Sequence, residues 1–467
     1  MKEKSVWSYD IETLINCFTV AFVNVKTDVA KTFVIWDTMD DSDSLFDFLQ
    51  DEVKGLVSFN GIGFDRPVMG KIPYLSLMKP NEKAMTLYQN AQSIIVGETY
   101  VVKTIHDILE KIPELDLYLM YHFNNEARRT SLKWIQCHMG VSNIMEMPHP
   151  HDKPVTEYSQ LAQILEYNVN DARTTAQFYN HPKTQSLISL RRWAKETYGI
   201  DKYNTSNAHM GEMIFLKNMG EIREPDTSPR VVKIKDLILP SIKFTSATFN
   251  QVLEKFKKVS FRTGGDPPEM SISTIFQGMR YDFGLGGLHA VRPNRMYDEH
   301  IDSIDVKSFY PRIAIHYKLR PSHLPESFTQ VYSKLYDERA AAKDPVVNNG
   351  LKEALNSVFG KSNSIYSPLY DPSFTFSITV NGQLLMAMLA ERIELAKAGS
   401  IIMVNTDGME VLVRQRENYQ SILNDWIKET GMIVSTSNYV RLMIRDVNNY
   451  IGINFGGKVK AKGVYEV

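Results

Sequence analysis

The sequence predicts an α/β chain of several domains, with an α/β front followed by an α+β rear. Its 467 residues exceed what one core holds. The front alternates β-rich runs with helical ones, and the rear repeats a strand–helix–hairpin order. Hydrophobic residues make up 43% and charged residues 23%, as in soluble globular proteins. No apolar run approaches the ~18 residues that span a bilayer, so no membrane partner is expected. MKEKSVWSYDIET leads straight into a strand-like segment without the apolar core of a signal peptide. The two cysteines, Cys17 and Cys137, stand in no metal-ligand spacing, which points to a reducing, cytoplasmic setting.

In chain order, SVWSYDIE, CFTVAFVNV and TFVIWD read as strands, and LFDFLQDEV as a helix before the strand GLVSFN. TSLKWIQCHMG and SQLAQILEYNVNDARTTAQFY have helical periodicity, the second after the turn-forming PHPHDKP. LISLRRWAKETYGI reads as a helical exit from this first region near residue 185. Residues 186–300 carry the weakest pattern: FRTGGDPPEMS is turn-rich, and YDFGLGGLHAV is a glycine-studded strand or turn. Thereafter a strand (HIDSIDV), two helices (QVYSKLYDERAAAK, LKEALNSVFGKSN), a long helix (VNGQLLMAMLAERIELAKAG), a hairpin (IIMVNTDGMEVLV), a helix (NYQSILNDWIKET) and C-terminal strands such as YIGINF follow. That order suits an antiparallel sheet backed by helices, with a helical pair inserted at its edge. The net charge of −1 hides an asymmetry, since residues 1–180 hold 16 Lys+Arg against 24 Asp+Glu and the remainder 37 against 30. An acidic front suits cation-binding carboxylates and a basic rear suits a phosphate-tracking groove.

Asp10 and Glu12 alternate on a strand and share a face. FNGIGFD supplies Asn60, Phe64 and Asp65, and YNVND places Tyr167 and Asp171 four apart on one helix face. Four carboxylates of this kind could hold two divalent cations ~3.5–4 Å apart, the arrangement that phosphodiester hydrolysis needs, with Tyr167 orienting the attacking water. Together and in this order, residues 5–180 resemble the DEDD exonuclease superfamily in its tyrosine variant. The resemblance implies an RNase H-like domain over 1–185, with metal ligands Asp10, Glu12, Asp65 and Asp171 and with Asn60 and Phe64 on the DNA strand.

SIDVKSFYP (303–311) places Asp305 at a strand end before a helix. It resembles motif A of family B DNA polymerases, D-x-x-S-L-Y-P, with Phe309 in the Leu place. The resemblance implies that Asp305 and the Val306 carbonyl hold metal, and that Tyr310 lies under the incoming sugar and refuses a 2′-hydroxyl. KEALNSVFGKSN (352–363) resembles motif B, K-x-x-x-N-S-x-Y-G. Lys352 then grips the triphosphate while Asn356 and Gly360 line the nascent base pair. Arg339 and Lys343, four apart on the helix before it, match the other basic pair of that family, and cations converging on a polyphosphate suit phosphoryl transfer. MVNTDGMEVLV (403–413) resembles motif C, Y-G-D-T-D-S, with Asp407 at the hairpin tip facing Asp305. Asn405 replaces the first Asp and Gly408 the Ser, and Glu410 reads as a solvated carboxylate. GLGGLH, with Gly286 and Gly287, resembles the family's template-contacting glycine motif. VKAKGVYE, with Lys460, Lys462 and Tyr465, resembles its primer-holding lysine–tyrosine element.

The resemblance spans nearly the whole chain and implies a first palm part within 186–325, fingers over 326–365 and a second palm part over 366–467. A thumb normally follows the lysine–tyrosine element, and here it is expected to be truncated, separate or absent. The compact plan implies a viral, bacteriophage-like polymerase acting in the host cytoplasm. The interval of about 40 residues between motifs A and B leaves no room for the insertion of protein-primed relatives. Two Mg²⁺ per active site, with Mn²⁺ as substitute, are implied, as are primer–template DNA, single-stranded DNA, deoxynucleoside triphosphates and a helicase or other replication proteins as partners. Two competing readings remain: an exonuclease with an inactive polymerase half, and a non-catalytic DNA-binding scaffold. Against the scaffold, uncompensated carboxylates repel DNA phosphates.

Overall fold

The computed structural model describes residues 3–97, 107–264 and 270–466. Part of the turn-rich FRTGGDPPEMS therefore lies outside the described residues. The chain is a mixed α/β protein that divides into two compact units, Met1–Met210 and Gly211–Val467.

The first unit is built on a six-stranded sheet. Strands β1 (Ser5–Leu14), β2 (Cys17–Asn24), β3 (Ala30–Trp36) and β4 (Met39–Asp40) form an antiparallel meander. Helix α1 (Ser42–Glu52) then carries the chain back to β5 (Val53–Ser58), which lies parallel to β1. After α2 (Asp65–Met69), α3 (Pro80–Ile95) and α4 (Asp107–Lys111), β6 (Glu114–Asp116) closes the order β4-β3-β2-β1-β5-β6. Every residue of β2 is buried because helices cover both faces of the sheet. Phe18, Val20 and Phe22 join the core under α1 and α3, while Ala21 and Val23 meet the opposite layer.

That opposite layer comes from α5 (Leu117–Met120), α6 (Leu132–His138), α7 (Tyr158–Asn180) and α8 (Pro182–Tyr198). A capping box of Glu157 and Gln160 starts α7 just after the proline-rich turn. The buried Ser8 hydroxyl is shared between Val23 O at 3.1 Å and Ala172 O at 2.7 Å, which locks α7 across β1. The unit runs past residue 185 to Met210 because α8 is fastened into it. Arg191, fully buried, donates to Leu187 O, Tyr203 O and Met120 O at 2.9–3.3 Å.

From α9 (Asn207–Met219) the chain passes through β7 (Val231–Lys233), α10 (Ala247–Lys258) and β8 (Ser260–Arg262). Ser246 caps α10, and the buried Glu391 carboxylate accepts from Thr245 N, Ser246 N and the Ser246 hydroxyl, fixing this start. Strands β9 (Ile272–Phe276), β10 (Met279–Phe283), β11 (Leu288–Val291), β12 (Met296–Tyr297) and β13 (Ile301–Val306) follow. Next come α11 (Phe309–His316), α12 (Ser327–Ala341), α13 (Pro345–Lys361) and α14 (Pro372–Leu395). The hairpin β14 (Gly399–Asn405) and β15 (Gly408–Val413), α15 (Arg416–Thr430), β16 (Val434–Tyr439), β17 (Arg441–Asp446), β18 (Asn449–Ile453) and β19 (Val459–Lys462) complete the unit.

Seven strands form one antiparallel sheet in the order β16-β13-β15-β14-β11-β10-β9, and β12-β17-β18-β19 form a second, smaller one. Two sequence expectations need correction here. Helix α14 is long and apolar enough to span a bilayer, contrary to the absence of any such run, but 94% of its apolar stretch is buried inside the unit. Its neighbours confirm a core helix, since Trp426 Nε1 donates to Leu385 O at 3.0 Å and Asn381 accepts from Leu239 N at 2.8 Å. Lys343 does not stand on a helix with Arg339, because α12 ends at Ala341 with Ala342 extended. Pro345 forbids a continuous helix, and Asp344 instead caps α13 by accepting from Val346 N at 2.7 Å.

Candidate active sites

In the first unit, β1 presents Asp10 and Glu12 toward α2 and α7. Asp65, the first residue of α2, accepts from Ile11 N at 3.1 Å, so its carboxylate is tied to the backbone between them. Asp171 lies in α7 beside Tyr167, one turn away on the same face. Glu12, Asp65, Asp171 and Tyr167 are buried, and Asp10 is partly so. Burial pushes the Glu12 carboxyl up to about 8, helped by Asp171 and Asp65 and opposed by Lys133. Burial likewise holds Asp65 up to about 7 against the hydrogen bond from Ile11. Asp10 is raised by burial and then by Asp65, Glu12 and Asp171, while Asn168 pulls it back. Asp171 is raised by burial, with the Tyr167 hydroxyl, Gln136 and Lys133 drawing it down.

The sequence reading missed the groups that hold this cluster. Asn168 donates to Asp10 at 2.8 Å and accepts from Thr19 at 3.1 Å, and Gln136 donates to Asp171 at 3.0 Å. Asn168 sits in the very YNVND motif that was read, but Gln136 is 35 residues away and carries no spacing signal. Lys133 stands 5.0 Å from the Tyr167 ring centre and 3.6 Å from Glu146. The FNGIGFD turn is held from β6: Asp116 accepts from Asn60 N at 2.9 Å and Ile62 N at 3.1 Å, with Asn60 left-handed at φ 72°. Glu114 accepts from Ser58 and Tyr9 and pairs with Arg66 at 2.8 Å. Asn60 is exposed beside this cluster, and Phe64 packs half-buried against the core.

In the second unit, Asp305 lies directly opposite Gly408 across the β13–β15 ladder, and Val306 N donates to Asp407 O at 2.9 Å. The two aspartates thus meet at one end of the large sheet. Partial burial and the neighbouring Asp305 hold the Asp407 carboxyl above the usual carboxylate range. A cleft of about 300 Å³ opens there, walled by Ser308, Tyr310, Arg339, Lys352, Asn356 and Asp407 among others. Lys352 and Asn356 share the exposed face of α13. Arg339 donates to the Ser308 hydroxyl at 2.7 Å, where Ser308 takes a left-handed φ of 49° before α11. The Tyr310 hydroxyl donates to Gly286 O, and its ring packs 4.5 Å from that of Phe359. Gly360 follows one turn beyond Asn356 on the exposed face, and Lys343 is exposed beyond α12; neither walls the cleft.

Further placements bear on the sequence reading. A side chain at Gly287 would meet the Thr406 hydroxyl at 2.5 Å, so glycine is needed where the β11 strand passes the hairpin tip. Asn405 donates from its amide to Val447 O at 2.8 Å, a bond that a carboxylate could not make. Glu410 is not solvated, as expected from sequence, but buried, because β15 runs through the middle of the sheet. Lys460 lies 5.9 Å from the ring centres of Tyr439 and Tyr450. Lys462 pairs with Glu466 at 2.6 Å, and Tyr465 ends a short turn after β19.

Both carboxylate sets are oxygen donors of the kind that hard divalent cations take. The first set concentrates negative charge that burial makes costly, so it fits cations by charge. Its oxygens do not close into a coordination sphere: among the described residues, no three His, Cys, Asp or Glu side chains are grouped to hold one ion.

No protein-family model matches the chain, and no curated protein does. Among solved structures the chain is similar to the family B DNA polymerase from the hyperthermophilic archaeon Pyrobaculum calidifontis, at 16% identity and a TM-score of 0.48. The alignment covers 98% of this chain and 60% of that one, so the chain spans about three fifths of that polymerase's length.

Proposed function

We propose that this chain is a template-directed, family B-type DNA polymerase of viral, bacteriophage-like origin, with a tyrosine-type DEDD 3′→5′ exonuclease in its first unit. The observation that carries the reading is Asp407 on the wall of a cleft that also bears Arg339, Lys352 and Asn356, with Asp305 next to it across the β13–β15 ladder. Its substrates are primer–template DNA and deoxynucleoside triphosphates, and frayed single-stranded 3′ ends go to the first unit.

Mg²⁺ bound by Asp305, Asp407 and the Val306 carbonyl would supply charge neutralisation and activation of the primer 3′-hydroxyl for attack at the α-phosphate. Arg339, oriented by Ser308, and Lys352 stabilise the charge that builds on the leaving pyrophosphate. Tyr310, tied to Gly286 O and backed by Phe359, presents a fixed flat wall to the sugar and excludes a 2′-hydroxyl. In the first unit Asp10, Glu12, Asp65 and Asp171 would hold the corresponding ions, and Tyr167, beside Asp171, orients the water that cleaves the terminal phosphodiester. Removing mispaired ends at a second site adds discrimination that binding alone does not give.

A second reading, an exonuclease whose polymerase half no longer turns over, draws support from Asn405. That position brings one carboxylate fewer to the hairpin and commits its amide to Val447 O. Paired variants separate the two. Under the proposal, Asp305→Ala and Asp407→Ala abolish primer extension and keep primer shortening, while Asp65→Ala does the reverse. Extension surviving in both palm variants sinks the assignment of the polymerase site. A wild-type chain that only shortens primers favours the second reading.

A further inference from the structure

Glu410 is a buried carboxylate that the polymerase reading leaves unused. It lies mid-strand on β15, opposite Ser303, and its side chain is 4% exposed. One carboxylate oxygen accepts from the Ser303 hydroxyl at 3.0 Å, and the other has no hydrogen-bond partner among the described residues. An ionised oxygen left this way is costly in the middle of a sheet unless a fixed positive charge faces it.

One such charge is at hand. Lys460 on β19 pairs with Gly452 on β18, and a side chain at Gly452 would meet the Tyr439 ring at 2.6 Å, so that ring lies against the Gly452 backbone. The Lys460 ammonium stands 5.9 Å from the centres of Tyr439 and Tyr450, within the range of a cation–π interaction with each. Tyr439 in turn lies opposite Ile301, two residues along β13 from Ser303, so its ring and Glu410 belong to one face of the large sheet, and Lys460, on the smaller sheet, stands over that ring. Asp305 is two residues from Ser303 in the other direction, on that same face. Burial holds the Glu410 carboxyl up at about 7, with Ser303 and then Lys460 drawing it down and Asp305 pushing it up. Burial opposes the Lys460 ammonium, which Tyr439, Tyr450 and then Glu410 favour.

We infer that Glu410 is a positioning residue, aiming the Lys460 ammonium, clamped between Tyr439 and Tyr450, at the primer strand beside Asp305. The inference rests on the polymerase reading above. It goes beyond it in giving this chain a device that a merely apolar strand residue at 410 would lack.

Steady-state primer extension by wild-type protein, Glu410→Gln, Lys460→Met and the double variant tests it, with thermal melts showing that each is folded. Gln keeps the shape and the acceptor for Ser303 but removes the charge. The expected result is a rise of about tenfold in KM for primer–template, with the nucleotide KM changed less than about twofold and no added effect of Glu410→Gln in the Lys460→Met background. A full effect of Glu410→Gln persisting in that background overturns the inference and makes Glu410 a direct participant at Asp305. No change in KM makes its role structural and also overturns it. If the wild-type chain itself extends no primer, the polymerase reading falls and takes this inference with it, an outcome the variants cannot mimic.

Discussion

Glu12 shows the electrostatics of the first unit's carboxylate cluster at a single side chain. Its carboxyl is pushed from 4.5 to about 8 by burial and then by Asp171 and Asp65. The folded chain therefore holds this proton more tightly than the unfolded chain. Stability from the group is present below about pH 4.5, declines as pH rises, and is lost above about pH 8. In chelator, the melting temperature of the first unit is expected to fall from pH 5 to pH 8, and Glu12→Gln to flatten that fall and raise the melting temperature at pH 8. A steeper fall in the variant would contradict the charge account. Asn405 supplies the opposite case. Asn405→Asp replaces a donor with a charge facing Val447 O and should cost about 1–3 kcal/mol in denaturant melts. The pairs Asp10–Glu12 and Tyr167–Asp171 were legible because strand and helix periods put each pair on a shared face, and Asp65 was read only from the FNGIGFD segment. Glu114, Asp116 and Gln136 were not, because they reach the site only through long-range pairing of a three-residue strand and a short helix.

Elements explain what single residues do not. Residues 186–300 read poorly from sequence, yet Phe249, Val252, Leu253 and Phe256 of α10 have helical spacing behind the Ser246 cap. The signal was present but short, and flanking turns masked it. The end of α12 carried a signal that the sequence reading passed over, since Lys343, expected on the helix, is followed by Asp344 and Pro345, a cap and a breaker. Two glycines test how the elements meet. Gly287→Ala forces its new methyl onto Thr406 and should destabilise the second unit by about 2 kcal/mol while lowering extension. Gly360 has nothing within 4 Å, so Gly360→Ala should stabilise α13 by about 0.5 kcal/mol. If the exposed face of α13 receives the nascent base pair, that same methyl should slow extension roughly tenfold or more. Stabilisation with full activity would remove Gly360 from the substrate surface.

At the scale of the whole molecule, the acidic excess of residues 1–180 includes the four carboxylates of the first unit, and the basic excess beyond includes Arg339 and Lys352 in the second. Two carboxylate sets on two compact units predict two separable activities on one DNA end. The most direct measurement follows a 5′-labelled primer on a longer template, with Mg²⁺, in the presence and absence of deoxynucleoside triphosphates. The account predicts lengthening with nucleotides and shortening without them. Shortening in both lanes, or no change in either, would contradict it.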